Sequence, residues 1–403
     1  MIAAALLPQF FFLGGCESFR DLGLEGRPRS YIKSPPVIME AEELPEGSAL
    51  YVTCFEYPPG YDYIRDTLHG VGSQVVLYRD GEKVFSAPAD GLSPDECRVV
   101  AGRLYMPLRQ GGCTEVRREE DILFRYEGEE LLESIVVDGE SVATLGRRLS
   151  GGGFCCRIDG REVFSSQKGV PVAPVDGGGA LRLDDDGYIF FYTLPLVGVS
   201  GKKSLCYVVR NWEESQIGLS DDIAGVFDAV SVDGTIYVAG ETSSGGCSIF
   251  HEGTRANIAS TSARIFGIRF FSVGDQMYVT GYYKSATKQY RMVWDVSAKV
   301  KYRLDLYDSN WIYPAESGYY CVERKGADVQ CYFGTNVLFR TYGRLWSSRC
   351  AGYWGRTMYM SVTDESGEYS TVYSSDGSVV MTVKGVITEI CYSALILPDE
   401  DSG

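Results

Sequence analysis

Few residues of this chain combine the type and the spacing that chemistry needs. Among 403 residues there are only two histidines, His69 and His251, and they lie far apart. The sequence has no Gly-x-Ser-x-Gly element, no phosphate-binding glycine loop and no Cys-x-x-Cys pair. The acidic run at 184–186 lacks the alternating oxygen ligands of a calcium loop, so it predicts a solvated turn. We therefore predict no catalytic residue, no metal ligand and no cofactor from sequence.

Composition excludes one further class of function. The chain has 54 acidic against 38 basic residues, which gives a formal net charge of −16. A surface of this sign repels phosphates, so nucleic acid is not an expected partner.

The sequence contains an internal repeat, and the repeated strands must position the residues of any functional site. A glycine recurs between two apolar runs about every 44 residues, often after an acidic residue, as in Asp233-Gly234. Its copies are Gly47, Gly102, Gly139, Gly187, Gly234, Gly274, Gly318 and Gly355. Each unit contains four short strand-like segments, and no long window has helical periodicity. A repeat of this kind predicts an all-β β-propeller over residues 46–397, with about eight four-stranded blades and seven as the alternative.

The repeats resemble those of bacterial lipoprotein propellers, a group within the β-propeller superfamily. Blades of that group carry a D-G turn followed by Y-V-A-G, and a W-x-N-G hairpin. Residues 233–240 read D-G-T-I-Y-V-A-G, and residues 278–281 read Y-V-T-G, whereas 294–297 keep only the tryptophan of the hairpin element. An apolar run at 386–397 remains after the eighth unit. We expect it to return to the first blade as a strand that closes the ring.

The predicted topology separates a face of short, tight turns from a face of longer loops. Turns between strands one and two lie beside those between three and four, and these are the tight D-G turns. The opposite face, which we call the long-loop face, carries the loops between strands two and three and the connections between blades. We expect long loops there at 56–73, 109–120 and 195–203, and loops of this kind on a rigid scaffold commonly carry function.

Aromatic residues are the candidate ligand contacts on this face. In units five to eight they stand near the start of strand one, and in the first unit they stand in the loop after strand two. The candidates are Phe227, Phe266, Trp311, Trp346, Tyr57, Tyr61 and Tyr63. Such rings stack on sugar rings or on apolar peptide side chains. The alternative is that the strand-one aromatics pack between blades.

The twelve cysteines suggest one possible disulfide. Cys321 and Cys331 flank a short hairpin at Gly326, so a cross-strand bridge between them is a hypothesis. Cys206, Cys247 and Cys331 hold nearly the same third-strand position in different units, which indicates a small buried apolar site.

The N-terminus carries a candidate membrane-targeting signal. Residues 1–15 form an apolar run too short to span a bilayer, followed by Gly14-Gly15-Cys16. This end resembles a bacterial lipoprotein box, although no basic residue precedes the run. The resemblance implies a signal peptide at 1–15, acylation of Cys16 and a location in the cell envelope, at the outer membrane. Residues 16–45 then predict a tether, and residues 398–403 a tail.

The sequence predicts a lipid-anchored propeller that binds a glycan, a peptide or a protein on its long-loop face without catalysis. One alternative is a polysaccharide-acting enzyme with carboxylates at the mouth of the axis. The other is a structural subunit of an envelope complex.

Overall fold

Eight small antiparallel sheets follow one another along the chain as the blades of an eight-bladed β-propeller, which confirms the predicted fold class. The structure is a computed structural model. It describes residues 48–58, 72–89, 91–172, 179–184, 186–196, 203–219, 223–251, 253–259, 264–273, 276–284, 289–305, 309–315, 318–334, 336–345, 348–354 and 357–394.

The first four blades contain the following strands, from the inner to the outer edge. Blade 1 has β33 (Val386–Ala394), β1 (Ser48–Glu56), β2 (Gln74–Arg79) and β3 (Glu82–Pro88). Blade 2 has β4 (Arg98–Val100), β5 (Arg103–Gln110), β6 (Cys113–Arg118) and β7 (Asp121–Glu127). Blade 3 has β8 (Glu130–Asp138), β9 (Ser141–Arg148), β10 (Phe154–Ile158) and β11 (Arg161–Ser166). Blade 4 has β12 (Val170–Pro171) and β13 (Arg182–Asp184), both paired with β14 (Gly187–Leu196), then β15 (Lys203–Arg210) and β16 (Glu213–Ile217).

The other four blades take their strands in chain order. Blade 5 has β17 (Ile223–Val232), β18 (Thr235–Thr242), β19 (Cys247–His251) and β20 (Thr254–Ala259). Blade 6 has β21 (Arg264–Val273), β22 (Gln276–Lys284), β23 (Gln289–Asp295) and β24 (Val300–Asp305). Blade 7 has β25 (Ser309–Ala315), β26 (Gly318–Lys325), β27 (Asp328–Phe333) and β28 (Asn336–Tyr342). Blade 8 has β29 (Ala351–Trp354), β30 (Thr357–Thr363), β31 (Tyr369–Ser374) and β32 (Val379–Lys384). Short 3-10 helices at Pro94–Glu96 and Ser348–Cys350 precede blades 2 and 8.

The C-terminal strand closes the ring, as predicted. β33 pairs antiparallel with β1, with Tyr51 opposite Cys391, and it takes the inner place that β4 or β8 takes in its own blade. The first blade therefore joins the two ends of the propeller, and β33 covers the inner edge of β1.

Turn chemistry explains the recurring Asp-Gly pairs. In the hairpin between β2 and β3, Asp80 and Gly81 have φ values of 48° and 86°, which glycine adopts without strain. The carboxylate of Asp80 accepts the backbone N–H of Leu50 at 2.9 Å, and Asp159 does the same for Val142 in blade 3 at 2.8 Å. An acidic residue is suited to this place because it also ties the turn to the second strand.

The two faces differ as expected, with one error. Strand bounds leave two to four residues in each turn of the tight-turn face, and from one to seventeen residues in the connections of the long-loop face. The predicted long loop at 109–120 is wrong: β5 and β6 are joined by the two-residue turn Gly111-Gly112, with φ values of 62° and 75°. Two successive glycines allow this tight hairpin, so the polar residues around them belong to strands.

Apolar clusters fill the spaces between successive blades. Phe154 and Phe164 of blade 3, for example, pack against Phe190 and Tyr192 of blade 4, with ring centroids 5.4–6.1 Å apart. The cysteines Cys206, Cys247 and Cys331 are buried, as the repeat pattern indicated, and burial raises the pKa of each thiol to about 12.

The suggested disulfide between Cys321 and Cys331 needs correction. Cys331 pairs with Val322 in the register of β26 and β27, while Cys321 pairs with Tyr332. Neighbouring positions on a strand point to opposite faces, so the two thiols point to opposite sides of the sheet and no bridge joins them.

Within the described residues, no helix has the length and apolar character needed to cross a bilayer.

Candidate functional site

The aromatic candidates of the long-loop face are only partly described. Tyr57, after β1, is half-buried, and its ring lies 6.3 Å from that of Phe55. Phe266 and Trp311 belong to β21 and β25 by their backbones, but their side chains lie outside the described residues, as do Tyr61, Tyr63 and Trp346. Cys16 also lies outside them, together with the signal and the tether.

Phe227 occupies a β-bulge of the inner strand of blade 5. The register between β17 and β18 shifts between Val226 and Asp228. Its ring packs against a cluster that includes Ile265 and Ile268 of blade 6. This contact supports the inter-blade packing alternative for Phe227.

The strand-one aromatics do not share one height along the axis. Phe227, Phe266 and Trp311 precede the last residues of their strands by five, seven and four positions. Because β21 contains a bulge, Phe266 and Trp311 differ by two positions in the register with strand two, which amounts to about 7 Å. The three backbones therefore do not present these residues at a single level.

A series of polar side chains, all buried except the half-buried Glu389, instead occupies one repeated position in the inner strands or directly before them. Glu96, Ser134 and Asp228 each stand four positions before the end of strand one, and Glu389 holds the matching register place in β33. Each accepts a backbone N–H from the next blade. The four bonds are Glu389 to Val99 at 3.1 Å, Glu96 to Leu132 at 3.0 Å, Ser134 to Leu181 at 3.0 Å, and Asp228 to Phe270 at 2.7 Å.

These side chains connect neighbouring inner strands that share no sheet. Leaving a buried N–H without a partner costs about 1–3 kcal/mol, so each bond stabilises the contact between two blades. We call these four residues the inter-blade ties. The three carboxylates and the Ser134 hydroxyl each bind a backbone N–H of the next blade.

The ring closure carries an additional ionic contact. Arg349, from the 3-10 helix before blade 8, donates to the carbonyl oxygen of Cys97 in the segment entering blade 2 at 2.6 Å. The same nitrogen lies 3.0 Å from the carboxylate of Glu389 in blade 1. One guanidinium therefore connects three successive blades.

Asp228 is a tie whose acidity is perturbed. Its side chain is 1% exposed, and burial raises its pKa to about 6. The N–H groups of Phe270 and Ala229 and the charges of Arg182 and Arg269 act against this shift. Arg182 lies 3.9 Å away on the inner strand of blade 4. The site can hold a carboxylate in place, but both its oxygens already accept backbone bonds.

A second buried polar group lies between blades 2 and 3. Arg157 donates to Glu130 at 3.0 Å and stands 4.1 Å above the ring of Tyr126. Burial and the neighbouring Glu130 raise the pKa of the Tyr126 hydroxyl. Glu130 is 3% and Arg157 11% exposed, so this group is sealed from a ligand of any size.

An open cleft lies between blades 4 and 5, with a volume of about 440 Å³. Its walls are apolar and its rim is polar. Ile217 and Leu219 line it from blade 4, and Ile236, Val238 and Phe250 from blade 5, while the rim consists of Thr235, His251, Thr254 and Arg255. His251 stacks on Tyr237 with ring centroids 5.4 Å apart, and the Arg255 guanidinium lies 5.5 Å from the Phe250 ring.

Blade 4, which lines the cleft through Ile217, lacks a feature that other blades share. In blades 1, 2, 3, 7 and 8 the outer strand contains a bulge, and the residue after it packs against the next blade. We call these residues the plugs: Phe85, Phe124, Phe164, Phe339 and Met381. In blade 4 the equivalent position, opposite Val208, is the exposed Ser215. A serine leaves the space against blade 5 unfilled.

Sequence reasoning missed both the ties and the plugs, although each leaves a signal. The ties appear as polar residues at a fixed distance before the strand one–two turn. The plugs appear as the last letter of E-K-V-F, D-I-L-F, R-E-V-F and N-V-L-F after the three–four turn. Blade 4 has no bulge, so its plug position is the last letter of E-E-S, which is Ser215. His251, one of the two histidines, stands at the rim of the cleft.

Comparison with known proteins gives similarity to solved structures alone. No family model and no curated protein matches the sequence. A structure of the eukaryotic initiation factor aligns with 87% of this chain and 99% of its own, at 10% identity and a TM-score of 0.46. Prolyl oligopeptidase B from Galerina marginata aligns with 80% of this chain and 56% of its own, at 11% identity and a TM-score of 0.45. Hydrazine synthase from Kuenenia stuttgartiensis aligns at 13% identity and a TM-score of 0.41, over 70% of this chain and 92% of its own. At these values the similarities carry no information about what this chain binds.

Proposed function

We propose that this chain is a cell-envelope lipoprotein, anchored through Cys16, whose propeller binds a ligand on its long-loop face without catalysis. The observation that carries this proposal is the asymmetry of the two faces. Turns of two to four residues cover one face, whereas the other has connections of one to seventeen residues. A rigid ring that varies its loops on one side alone is typical of a binding scaffold.

The arrangement of the buried acids favours binding over hydrolysis. A glycosidase needs two carboxylates that face a shared sugar, about 5–10 Å apart. Here the buried Glu96 and Asp228 accept backbone N–H groups, and Glu130 pairs with Arg157. The ligand class that we propose is a glycan, a peptide or a partner protein, because the longest loop begins at Tyr57 and contains Tyr61 and Tyr63.

Two experiments test this proposal separately. Cys16→Ser should move the protein from the membrane to the soluble fraction and abolish labelling with a radioactive fatty acid. Labelling that persists in the variant would remove the anchor from the proposal. The unanchored Cys16→Ser chain is then applied to glycan and peptide arrays, with a Tyr57→Ala, Tyr61→Ala, Tyr63→Ala triple variant as the control. Binding that is identical for both chains would contradict the placement of the site on this loop.

The exposed rim favours a second candidate, a structural subunit of an envelope complex. The outer strands of four successive blades expose aliphatic side chains at the bulge or directly beside it. They are Val337, Val379, Val84 and Ile122, with exposed fractions of 43%, 61%, 50% and 54%. Apolar rows of this kind are typical of contact surfaces. Sedimentation of a detergent extract tests this, because a Val379→Lys change should release the chain from any complex held through this row.

A further inference from the structure

We propose that the cleft between blades 4 and 5 is a second binding site, which accepts a phenylalanine-sized apolar side chain from an extended peptide of another protein. The site is independent of the long-loop face. A strand of that peptide would lie along β16, the free outer edge of blade 4.

The protein itself shows which occupant this space fits. At five other blade junctions the equivalent place holds a plug of the chain, and four of the five plugs are phenylalanines. Phe164, for example, lies 5.5 Å from Phe190 of the next blade, ring centre to ring centre. Since the blades repeat one geometry, the gap beside Ser215 is expected to fit a side chain of the same size.

The contacts around the turn glycines define the missing volume. A Cβ added to Gly160 would meet the ring of Phe124 at 3.1 Å, and one added to Gly377 would meet that of Phe339 at 3.4 Å. A Cβ added to the equivalent Gly253 of blade 5 would meet nothing within 4 Å. The junction between blades 5 and 6 differs. There Ala256 holds the plug position of blade 5, but blade 6 supplies a large side chain instead, because the buried Trp294 packs in the same cluster as Ile249.

The edge of blade 4 is suited to an incoming strand. The bulged outer strands of the five plug-bearing blades interrupt the hydrogen-bonding register, and bulges protect edges from pairing with other chains. β16 has no bulge, and it keeps an unbroken register with β15 from Glu213 to Ile217. An extended peptide paired with this edge places alternate side chains on the side of blade 5.

Facing that side, blade 4 presents Ser215 at the plug position and Ile217 beyond it, while Phe250 and Val238 stand opposite in blade 5. A large apolar side chain carried by the peptide would therefore enter a space with an apolar wall and an empty centre. It would restore from outside the contact that other blades make with their own plug.

The test uses the Cys16→Ser chain and two capped hexapeptides of alternating threonine and valine, one with a central phenylalanine and one with alanine in its place. Fluorescence polarisation of the labelled peptides should show binding that is at least about tenfold tighter for the phenylalanine peptide, as burial of one aromatic ring implies. Equal affinities, or no binding of either peptide at about 1 mM, would overturn the proposal.

Variants of β16 test the position. Ser215→Phe supplies the missing plug from within the chain, so it should weaken the phenylalanine peptide by at least about tenfold and raise the thermal unfolding midpoint. Gln216→Phe is the matched control, because Gln216 pairs with Tyr207 and points to the side of blade 3. It should leave the affinity within about twofold. If Ser215→Phe does not fold, Ser215→Met takes its place. Undiminished binding by the plugged variant, or an equal loss in both variants, would refute the site.

Discussion

The closing strand of the ring gives the most demanding prediction. Removing residues 386–403 deletes β33, the inner strand of blade 1, whereas a control truncation after Ala394 keeps every described strand. β33 buries Val386, Ile387 and Ile390 at 0%, 0% and 4% exposure. At about 1.5–3 kcal/mol for each aliphatic side chain, their loss amounts to about 5–9 kcal/mol.

The tie at Glu389 adds to this loss. Deleting it leaves the N–H of Val99 in blade 2 without its acceptor, for about 1–3 kcal/mol more, and removes the carboxylate beside Arg349. A typical domain is stable by about 5–15 kcal/mol, so the shortened chain should lose most of its stability. The control truncation should unfold at the urea concentration of the full chain.

Urea unfolding followed by tryptophan fluorescence measures the loss of stability. Adding the missing strand as a separate peptide is a second test of the same closure. A synthetic peptide of residues 386–394 should raise the midpoint of the shortened chain as its concentration rises, because it binds the folded state alone. A peptide of scrambled order should not. If the shortened chain cannot be isolated, Ile390→Ala in the full chain should cost about 2–5 kcal/mol. A midpoint unchanged by the deletion would refute the closure argument.

Three further predictions concern single residues. The raised pKa of Asp228 means that the folded protein holds its proton up to about pH 6 while the unfolded chain releases it near pH 4, so stability falls as pH rises between these values. The free energy of unfolding should therefore drop by up to about 3 kcal/mol more between pH 4 and pH 7 in the parent than in Asp228→Asn, and equal slopes would contradict this. Phe227→Ala should lower the free energy of unfolding by about 2–4 kcal/mol in urea, as a packing residue does; loss of ligand binding at an unchanged midpoint would instead make Phe227 part of a site. A reductant should leave the thermal midpoint unchanged, because no bridge joins Cys321 to Cys331. A reductant-dependent shift that disappears in Cys331→Ser would show that the bridge forms.

Local patterns in the sequence were enough to predict the architecture. Hairpins depend on residues that tolerate positive φ, so pairs such as Asp233-Gly234 mark turns wherever they occur. Their regular spacing gives the number of blades, and an apolar run left over after the last unit predicts the closing strand. Each of these features depends on neighbours in the chain.

The functional details depend on neighbours in space. Whether Cys321 faces Cys331 is decided by the register of two strands, in which a shift of one residue reverses the face. Asp228 is a tie only because the N–H of Phe270, forty-two positions away, points at its carboxylate. The cleft lies between Ile217 of one blade and Phe250 of the next, which are distant in the sequence. The sequence by itself determined the repeating unit, and the contact between successive units decided which polar groups are bonded and which space is open, because side chains of different blades meet only after the ring has closed.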